Sequence, residues 1–300
     1  MGKEERKRLE QYCYDGSRHF SIREASTKET SLCSDKVEAL AQMEKNNAKM
    51  DELQAKLYAA KKEGVIFLFQ AMDAAGKDGT IRSVLTCLSP HGVHEVAHDF
   101  LWRIVKQVPA RGEIAIFNRS QYEDVLIGKV RELYRKQAHA DRIDEDTVME
   151  DRYTDIRNFE KYLYRNSIRT VKIFLHVSKD EQALRFLSRI EEPEKNWKFS
   201  AGDWEERACW YAYQKAFEEA INATATREAP WYVVPADHKW YMRYLVSEIL
   251  CDTLIDMDPQ YPEVTSERLA EFEKLRDSIA KELPEEKLEK FRKKNGKSKS

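Results

Sequence analysis

Residues 65–80 of the chain read VIFLFQAMDAAGKDGT. The apolar run from Val65 to Phe69 is typical of a strand that is buried on both faces. A turn of small residues follows, and then Gly76-Lys77 and a helix-compatible segment. This order of strand, loop and helix is typical of a loop that binds phosphate with backbone N–H groups at a helix N-terminus.

The loop also carries two acidic residues, Asp73 and Asp78. A carboxylate is repelled by a polyanion unless a divalent cation lies between them. The sequence therefore predicts phosphoryl chemistry with Mg²⁺, in which Asp73 coordinates the metal or orients the accepting phosphate. Lys77 is predicted to neutralise charge on the transferring group. The predicted phosphate-binding residues of the loop are Ala74, Ala75, Gly76, Lys77, Asp78, Gly79 and Thr80.

The loop departs at two positions from the strict pattern G-x-x-x-x-G-K-[ST]. Ala71 stands at the first glycine, and Asp78 stands at the Ser/Thr position. A purely structural alternative is a strand–turn–helix junction with a capping aspartate and a solvated lysine. The strand before the loop and the helix after it favour phosphate binding over this alternative.

The composition is that of a chain with enough apolar residues for a core and a highly charged surface: 42% of its 300 residues are apolar and 35% are charged. The net charge of −2 argues against a nucleic-acid partner, so a polyanion site must be a local basic cluster. The five cysteines are scattered without metal-ligand spacing, which favours reduced thiols in the cytoplasm. No apolar run reaches the roughly 18 residues needed to span a membrane.

Apolar runs alternate with helix-compatible segments along the chain. This pattern predicts a three-layer α/β fold in which a five-stranded parallel sheet is flanked by helices. The predicted strands are 65–70, 93–98, 113–118, 169–177 and 231–235. The predicted organisation is an irregular N-terminal arm (1–34), a main domain (35–257), and a C-terminal helix with a basic tail (258–300).

A second cluster, Asn118, Arg119 and Glu123, follows the apolar strand 114–117. In phosphate-loop enzymes, the strand that carries the second metal-binding acid ends at such a place. Asn118 offers only a neutral oxygen there, whereas Arg119 is placed to reach phosphate and Glu123 to restore the negative charge or contact a nucleotide. A capping box formed by Ser120 and Glu123 is an alternative that is compatible with this function.

A third cluster, at about residues 179–205, combines cations with aromatic side chains around Pro193. Lids over phosphate sites need cations that move in and apolar groups that exclude water. The alternative is an ordinary solvated face beside a buried tryptophan. The cations predicted to bind phosphate are Arg185, Arg189, Lys195 and Lys198, with Lys239 and Arg243 after the last strand.

Together these motifs resemble the polyphosphate kinase 2 family. Five segments match in order: QAMDAAGKDGT, HDFLWR, IFNRSQYEDVL, RIEEPEKNWKFSAGD and APWYVVPADHKWYMR. The resemblance covers most of the chain and implies a phosphate-loop kinase fold with a helical lid. It also implies inorganic polyphosphate as phosphate donor and Mg²⁺ as cofactor. Asn118, where other members have aspartate, resembles the subgroup that phosphorylates both AMP and ADP.

Residue roles follow from the same resemblance, position by position. It implies four catalytic residues: Asp73, which also binds the metal, Lys77, Asn118 and Arg119. Four residues are predicted to bind the nucleotide: His98, Asp99 and Arg103, which follow a predicted strand end where ligands bind in open α/β sheets, and Glu123, which the resemblance implies as a mark of the subgroup. The chain departs mildly from relatives at Val105 and Gln121, where histidine occurs, and these changes leave the reaction class intact.

We therefore expect a reversible, Mg²⁺-dependent phosphotransferase that uses polyphosphate to phosphorylate AMP and ADP, with GMP and GDP as further candidate acceptors. No nucleic-acid or membrane partner is expected, and the family implies a homodimer or homotetramer. Two alternatives stay open. One is an ATP-dependent nucleoside or nucleotide kinase on the same fold, and the other is a non-catalytic polyphosphate-binding protein.

Overall fold

One central sheet organises the chain. The structure is a computed structural model that describes residues 8–84, 99–136 and 143–296, apart from the side chains of residues 198, 201, 203 and 294–296. The chain divides into two units, Met1–Gln260 and Tyr261–Ser300. The sheet lies in the first unit. Its strands in the described part of the chain are β1 (Cys13–Tyr14), β2 (Gly64–Ala71), β3 (Ile114–Phe117), β4 (Ile168–His176) and β5 (Trp231–Pro235).

Helices connect these strands. In the first unit they are α1 (Lys36–Ala60), α2 (Lys77–Val84), α3 (Trp102–Val105), α4 (Ile127–Val130), α5 (Val148–Arg165), α6 (Lys179–Glu191), α7 (Ala201–Arg207), α8 (Trp210–Thr224) and α9 (Lys239–Met257). Short 3-10 turns cover Glu10–Tyr12, Gln121–Asp124, Leu133–Lys136 and Pro193–Lys198. The second unit contains α10 (Ser266–Lys281) and α11 (Glu285–Gly296).

The strand order is β1-β5-β4-β2-β3, and the four strands from β2 to β5 run parallel to one another. The prediction of a fully parallel sheet is wrong at one edge, because the fifth strand is β1, which pairs antiparallel with β5. β1 has only two residues, so no hydrophobic alternation marks it in the sequence. The predicted strand 93–98 lies outside the described residues.

The central strands are buried on both faces, as their continuous apolar sequences predicted. Along β2 every residue from Gly64 to Gln70 is buried, and along β4 only Arg169 is partly exposed. α1 and α2 pack against α9, whereas α5 packs against β4 and α8. The mostly parallel sheet is therefore flanked by helices, as in other α/β folds.

The interior of the sheet contains an ion pair. Lys172 of β4 is fully buried, and its partner Glu160 of α5 is 1% exposed. Lys172 Nζ donates to Glu160 Oε2 at 2.6 Å and to Thr224 O at 2.8 Å, and Tyr122 Oη donates to Glu160 Oε1 at 2.9 Å. Burial lowers the pKa of Lys172 and raises the pKa of Glu160, and the attraction between the two charges opposes both shifts. The pair thereby fastens the turn that contains Tyr122 to the sheet.

The N-terminal residues 8–34 are anchored at the carboxyl ends of the central strands. His176, the last residue of β4, contacts the backbone of Ala25. Asp237, two residues after β5, accepts a hydrogen bond from Thr27 Oγ1 at 2.9 Å. Together with β1, these contacts make the N-terminal segment part of the packed unit rather than a loose extension.

Two findings concern the environment in which the chain folds. Within the part of the chain that the structure describes, no helix is long and apolar enough to cross a membrane. The cysteines in that part, Cys13, Cys33, Cys209 and Cys251, are free thiols. Cys87 lies outside it.

Removing one partner of the buried ion pair should destabilise the protein strongly. Lys172→Met leaves Glu160 either charged without a partner or protonated, so the free energy of unfolding should fall by about 3–5 kcal/mol. The double variant Lys172→Met/Glu160→Gln has no isolated charge and should recover part of this loss. Urea unfolding measures both changes.

A matched control for this prediction is Lys215→Met, which removes an exposed ion pair with Glu219. Exposed pairs contribute little, so the control should unfold nearly like the wild-type protein. A loss in Lys172→Met no larger than in the control would contradict the prediction.

His176 should make stability depend on pH. Burial lowers its pKa to about 4 from an ordinary value of 6.5. Between these values the unfolded chain binds more protons than the folded protein, so stability rises with pH in this window and is lost as the pH falls through it. The contribution is on the order of 3 kcal/mol.

Urea unfolding of the wild-type protein and of His176→Asn across this pH window checks the prediction. Carboxylates that titrate in the same pH range affect the stability of both proteins, so the difference between the two stability curves isolates the contribution of the histidine. The variant should show a flatter pH dependence, and parallel curves would count against the assignment.

Candidate active site

The loop between β2 and α2, residues 72–76, which we call the phosphate loop, is a tight turn held by its own backbone. Ala75 N donates to Met72 O at 3.1 Å. Ala74 and Gly76 adopt positive φ angles of 61° and 98°, a region that favours glycine. Thr80, which the sequence placed near phosphate or metal, is buried in α2 and donates to Gly76 O at 3.0 Å.

Lys77 is the first residue of α2, and its ammonium lies among the charged residues that the sequence singled out. Its Nζ donates to Asn118 O at 2.5 Å. Burial lowers the pKa of Lys77 and so does the positive charge of Arg119, whereas the carboxylates of Glu123 and Asp73 raise it. Residues from the first two predicted clusters therefore surround one ammonium group.

The register of the sheet explains why these clusters meet. Leu68 of β2 pairs with Phe117, the last residue of β3, and β2 ends shortly afterwards at Ala71. The carboxyl ends of parallel strands share one edge of the sheet, where ligands bind in open α/β proteins. At this edge Asn118 Nδ2 donates to Asp78 Oδ1 at 3.0 Å, although 40 residues separate them in sequence.

Ser120 confirms the predicted cap of the segment after β3. Its Oγ accepts from Tyr122 N at 3.2 Å and also from Gln70 Nε2 at 3.0 Å, which ties the cap to β2. Glu123, in the same turn, still lies close enough to Lys77 to raise its pKa. Capping and a position beside the phosphate loop thus hold at the same time.

Oxygen atoms suited to a metal ion are present at this edge. Asp73 and Asp78 are exposed, and Asn118 Oδ1 is buried without a hydrogen-bond partner among the described residues. Among all residues that the structure describes, no three or more His, Cys, Asp or Glu side chains form a group that could hold a metal ion without a substrate. Mg²⁺ is usually held by one or two carboxylates together with substrate phosphates and water, so the oxygen donors fit Mg²⁺.

The segment predicted to form a lid is helical. It contains α6, the 3-10 turn Pro193–Lys198 and the first part of α7. Arg185 of α6 is buried and donates to the backbone oxygens of Ala74 and Ala75 at 3.1 and 2.6 Å. This predicted phosphate ligand therefore contacts the backbone of the phosphate loop.

Several of the predicted cations lie close together. The pKa of Lys239 is lowered first by burial and then by the positive charges of Arg185, Lys195 and Arg243. We refer to these four residues as the basic group. Such a concentration of positive charge in a nearly neutral protein suits a polyanionic ligand.

A cavity of about 360 Å³ extends from the basic group along α1, α2, α6 and α9. Cations, apolar side chains, two carboxylates and two other polar side chains line it together: Lys36, Leu40, Met43, Ser83, Glu181, Asp237, His238, Lys239, Trp240 and Arg243. Sequence reasoning identified Lys239 and Arg243 but missed Lys36 and Ser83. Neither of the missed residues stands in a motif, and only the packing of the helices brings them to the cavity.

The remaining predicted residues lie in other contacts. The guanidinium of Arg189 lies 5.5 Å from the ring centre of Phe186 on its own helix. Asp99 Oδ1 accepts a hydrogen bond from Leu101 N at 2.9 Å and so stabilises the turn before α3. Arg103, within α3, is half-buried. The predicted residue His98 lies outside the described residues, and so does the side chain of Lys198.

Sequence reasoning also missed Gln182 and Arg207, which connect the lid helices to the loop. Gln182 Nε2 donates to Asp73 O at 2.9 Å, and Arg207 Nη1 donates to Gln182 Oε1 at 2.7 Å. Gln182 lies three residues before Arg185 and therefore on the same face of α6. That spacing is the only sequence signal that could have paired the two residues.

Comparisons with known proteins find similar sequences along most of the chain. Residues 33–262 match the family profile described as Polyphosphate kinase 2 (PPK2). An ADP-polyphosphate phosphotransferase from Rhodopseudomonas palustris is 44% identical over 253 residues, which cover 78% of this chain and 85% of that protein. An AMP/ADP-polyphosphate phosphotransferase from Meiothermus ruber is 45% identical over 245 residues, which cover 78% of this chain and 87% of that protein.

A solved structure shows the same similarity. The crystal structure of polyphosphate kinase 2 from Arthrobacter aurescens matches with a TM-score of 0.79 and 35% identity, covering 91% of this chain and 96% of that chain. The family profile spans most of the first unit, including the phosphate loop, the segment after β3 and the lid helices. The chain therefore belongs to the polyphosphate kinase 2 family.

Proposed function

We propose that this site transfers a phosphoryl group from inorganic polyphosphate to AMP and ADP, reversibly and with Mg²⁺. Family membership and the activities named for the two relatives support polyphosphate as donor and adenine nucleotides as acceptors. The observation that carries the proposal is the contact of Lys77 with Asn118, and of Asn118 with Asp78, at the carboxyl edge of the parallel sheet. The charges of Arg119 and Asp73 also act on Lys77 there. We also assign the fold to the phosphate-loop kinases, because β2, the loop and α2 follow their strand–loop–helix order.

Phosphoryl transfer requires little covalent chemistry from a protein, so positioning and electrostatics supply most of the catalysis. In the proposed reaction, the N-terminus of α2 binds phosphate oxygens with its backbone N–H groups. Lys77 and Arg119 stabilise the negative charge on the moving phosphoryl group. Mg²⁺, when held by Asp73 and substrate oxygens, supplies further neutralisation of charge.

Asn118 and Glu123 are proposed to tune the acceptor side of the site. Asn118 holds the Lys77 ammonium through its backbone oxygen and holds Asp78 through its side chain. Its amide is neutral where the sequence resemblance implies a carboxylate in other members of the family, and Glu123 restores a negative charge close by. Nucleotide binding is assigned to Asp99 and Arg103 together with Glu123, and to His98 from its place after a predicted strand.

The donor is proposed to contact Lys195, Lys239 and Arg243 of the basic group and to follow the cavity beside them. Polyphosphate carries a regular row of negative charges, which a line of Lys and Arg side chains attracts over several ångströms. Arg189 and Lys198 remain predicted members of this path. A homo-oligomeric assembly and a cytoplasmic location also remain predictions, the second supported by the free thiols.

A donor–acceptor matrix tests the proposed function. Polyphosphate or ATP is supplied with AMP, ADP, GMP or GDP, with Mg²⁺ or with EDTA, and products are separated by chromatography. Polyphosphate with AMP or ADP and Mg²⁺ should give ADP or ATP, and EDTA should abolish transfer because the substrate charges are then not neutralised. Transfer from ATP alone indicates a conventional nucleotide kinase, and binding without turnover indicates a non-catalytic binding protein.

Lys77→Ala should lower kcat about 10²-fold or more, since it removes the charge that stabilises the transferring group. This loss corresponds to roughly 2.7 kcal/mol of transition-state stabilisation. Steady-state kinetics with polyphosphate and ADP measures it. Lys161→Met, at an exposed position on α5, serves as the control and should keep wild-type kinetics. Near-normal turnover in Lys77→Ala would refute the role given to this lysine.

A further inference from the structure

Arg185 has no hydrogen-bond donor left for a phosphate. The side chain is 6% exposed. Its Nε donates to Glu181 Oε1 at 2.8 Å. Nη1 donates to Ala74 O at 3.1 Å and Ala75 O at 2.6 Å, and Nη2 donates to Ala236 O at 2.6 Å and Asp237 O at 3.1 Å. A guanidinium group has five N–H donors, and these five bonds use all of them.

The four carbonyl oxygens belong to two segments that lie far apart in the sequence. Ala74 and Ala75 are in the phosphate loop, whereas Ala236 and Asp237 connect β5 to α9. One guanidinium therefore cross-links two neighbouring loops at the carboxyl edge of the sheet. Only the planar, forked arrangement of donors in arginine can do this, because the lysine ammonium has three donors on a single atom.

Gln182 adds a third loop carbonyl to the same side. Its Nε2 donates to Asp73 O at 2.9 Å, and its own Oε1 accepts from Arg207 Nη1 at 2.7 Å. The carbonyl oxygens of residues 73, 74 and 75 are therefore all held by α6. Because α7 contributes Arg207, both α6 and α7 help to fix the loop.

These bonds determine which way the loop N–H groups point. Peptide bonds in this chain are trans where the structure describes them, so the N–H of each peptide points opposite to its C=O. Bonds to Asp73 O and Ala75 O turn the N–H groups of Ala74 and Gly76 away from α6. Ala74 has a φ of 61°, which a residue with a side chain keeps only when its surroundings hold it there.

We propose that Arg185 is a positioning residue that sets the shape of the phosphate loop, and that it is not a polyphosphate ligand. The guanidinium holds the loop carbonyls on one side, so that loop N–H groups face the phosphates on the other. Gln182 performs the same task for Asp73, whose side chain is the proposed metal ligand. The kinetic part of this inference rests on the proposed function.

Arg185→Lys separates the two roles because it keeps the charge and removes the forked geometry. A positioning role predicts that kcat falls about 10-fold to 100-fold while KM for polyphosphate changes less than about twofold, since the N–H groups stabilise the transition state. A ligand role predicts a KM for polyphosphate that rises about tenfold with kcat preserved. Lys239→Met, at a proposed polyphosphate contact, should show this second pattern.

Hydrogen–deuterium exchange of the ligand-free protein provides an independent readout. Peptides that cover residues 72–79 should exchange faster in Arg185→Lys than in the wild-type protein, because the loop has lost its anchors. Gln182→Met removes one anchor at a buried position and should raise exchange at the same peptides by a smaller factor. It also keeps the inference testable if Arg185→Lys folds poorly. Arg165→Lys, at an exposed position on α5, should leave exchange unchanged.

Unchanged exchange in both Arg185→Lys and Gln182→Met, or a selective rise in KM for polyphosphate in Arg185→Lys, would overturn the inference. The exchange experiment needs no turnover. A wild-type protein that fails to use polyphosphate therefore refutes the proposed function alone, and the loop anchor is still tested.

Discussion

Parallel pairing of β2 with β4 is the constraint on which the remaining structure depends. The two strands pair residue by residue from Gly64↔Ile168 to Ala71↔Leu175. β3 joins β2, and β5 joins β4, in the same direction. The strands therefore end at one edge, and the loops that follow them meet there, although long stretches of sequence separate them. The phosphate loop, Asn118 and the junction after β5 are neighbours for this reason.

Burial of both faces of this sheet also imposes a cost. Lys172 occupies a central position on β4, and a charged group in such a place is costly unless it is paired and hydrogen-bonded. Glu160, Tyr122 and Thr224 supply the partners. Because Tyr122 lies four residues after Asn118, the same network that satisfies the buried lysine also fixes the segment that carries Asn118 and Arg119. Core packing and active-site geometry are thus coupled through one carboxylate.

Much of the fold could be predicted from local sequence patterns. β2, β4 and β5 are apolar runs whose length and burial decide their structure, and the small residues after β2 favour a turn wherever they occur. β1 could not be predicted, because two residues have no periodicity and the strand exists only through its pairing with β5. The cavity escaped prediction for a similar reason, since Lys36 and Ser83 meet only when α1 and α2 pack beside α9.

In the candidate site, too, residues in sequence motifs could be predicted, whereas contacts made only by packing could not. The sequence brought out Lys77, Asp73, Asn118 and Arg119 because their chemistry is written in motifs that follow strands. The contacts of Arg185 with loop carbonyl oxygens were hidden, because an arginine that binds phosphate and one that binds carbonyl oxygens look identical in a sequence. Its partners decide between the two, and they lie 110 residues before it and 51 residues after it.

The left-handed Ala74 has a consequence for the energetics of substrate capture. Glycine at this position would adopt the same φ without strain, but it would also give the loop more conformations to lose when phosphate binds. Alanine, restrained from the lid side, narrows that ensemble in advance. In the proposed reaction, less of the binding free energy is then consumed in ordering the backbone, and more of it is available to hold the phosphates in line for transfer.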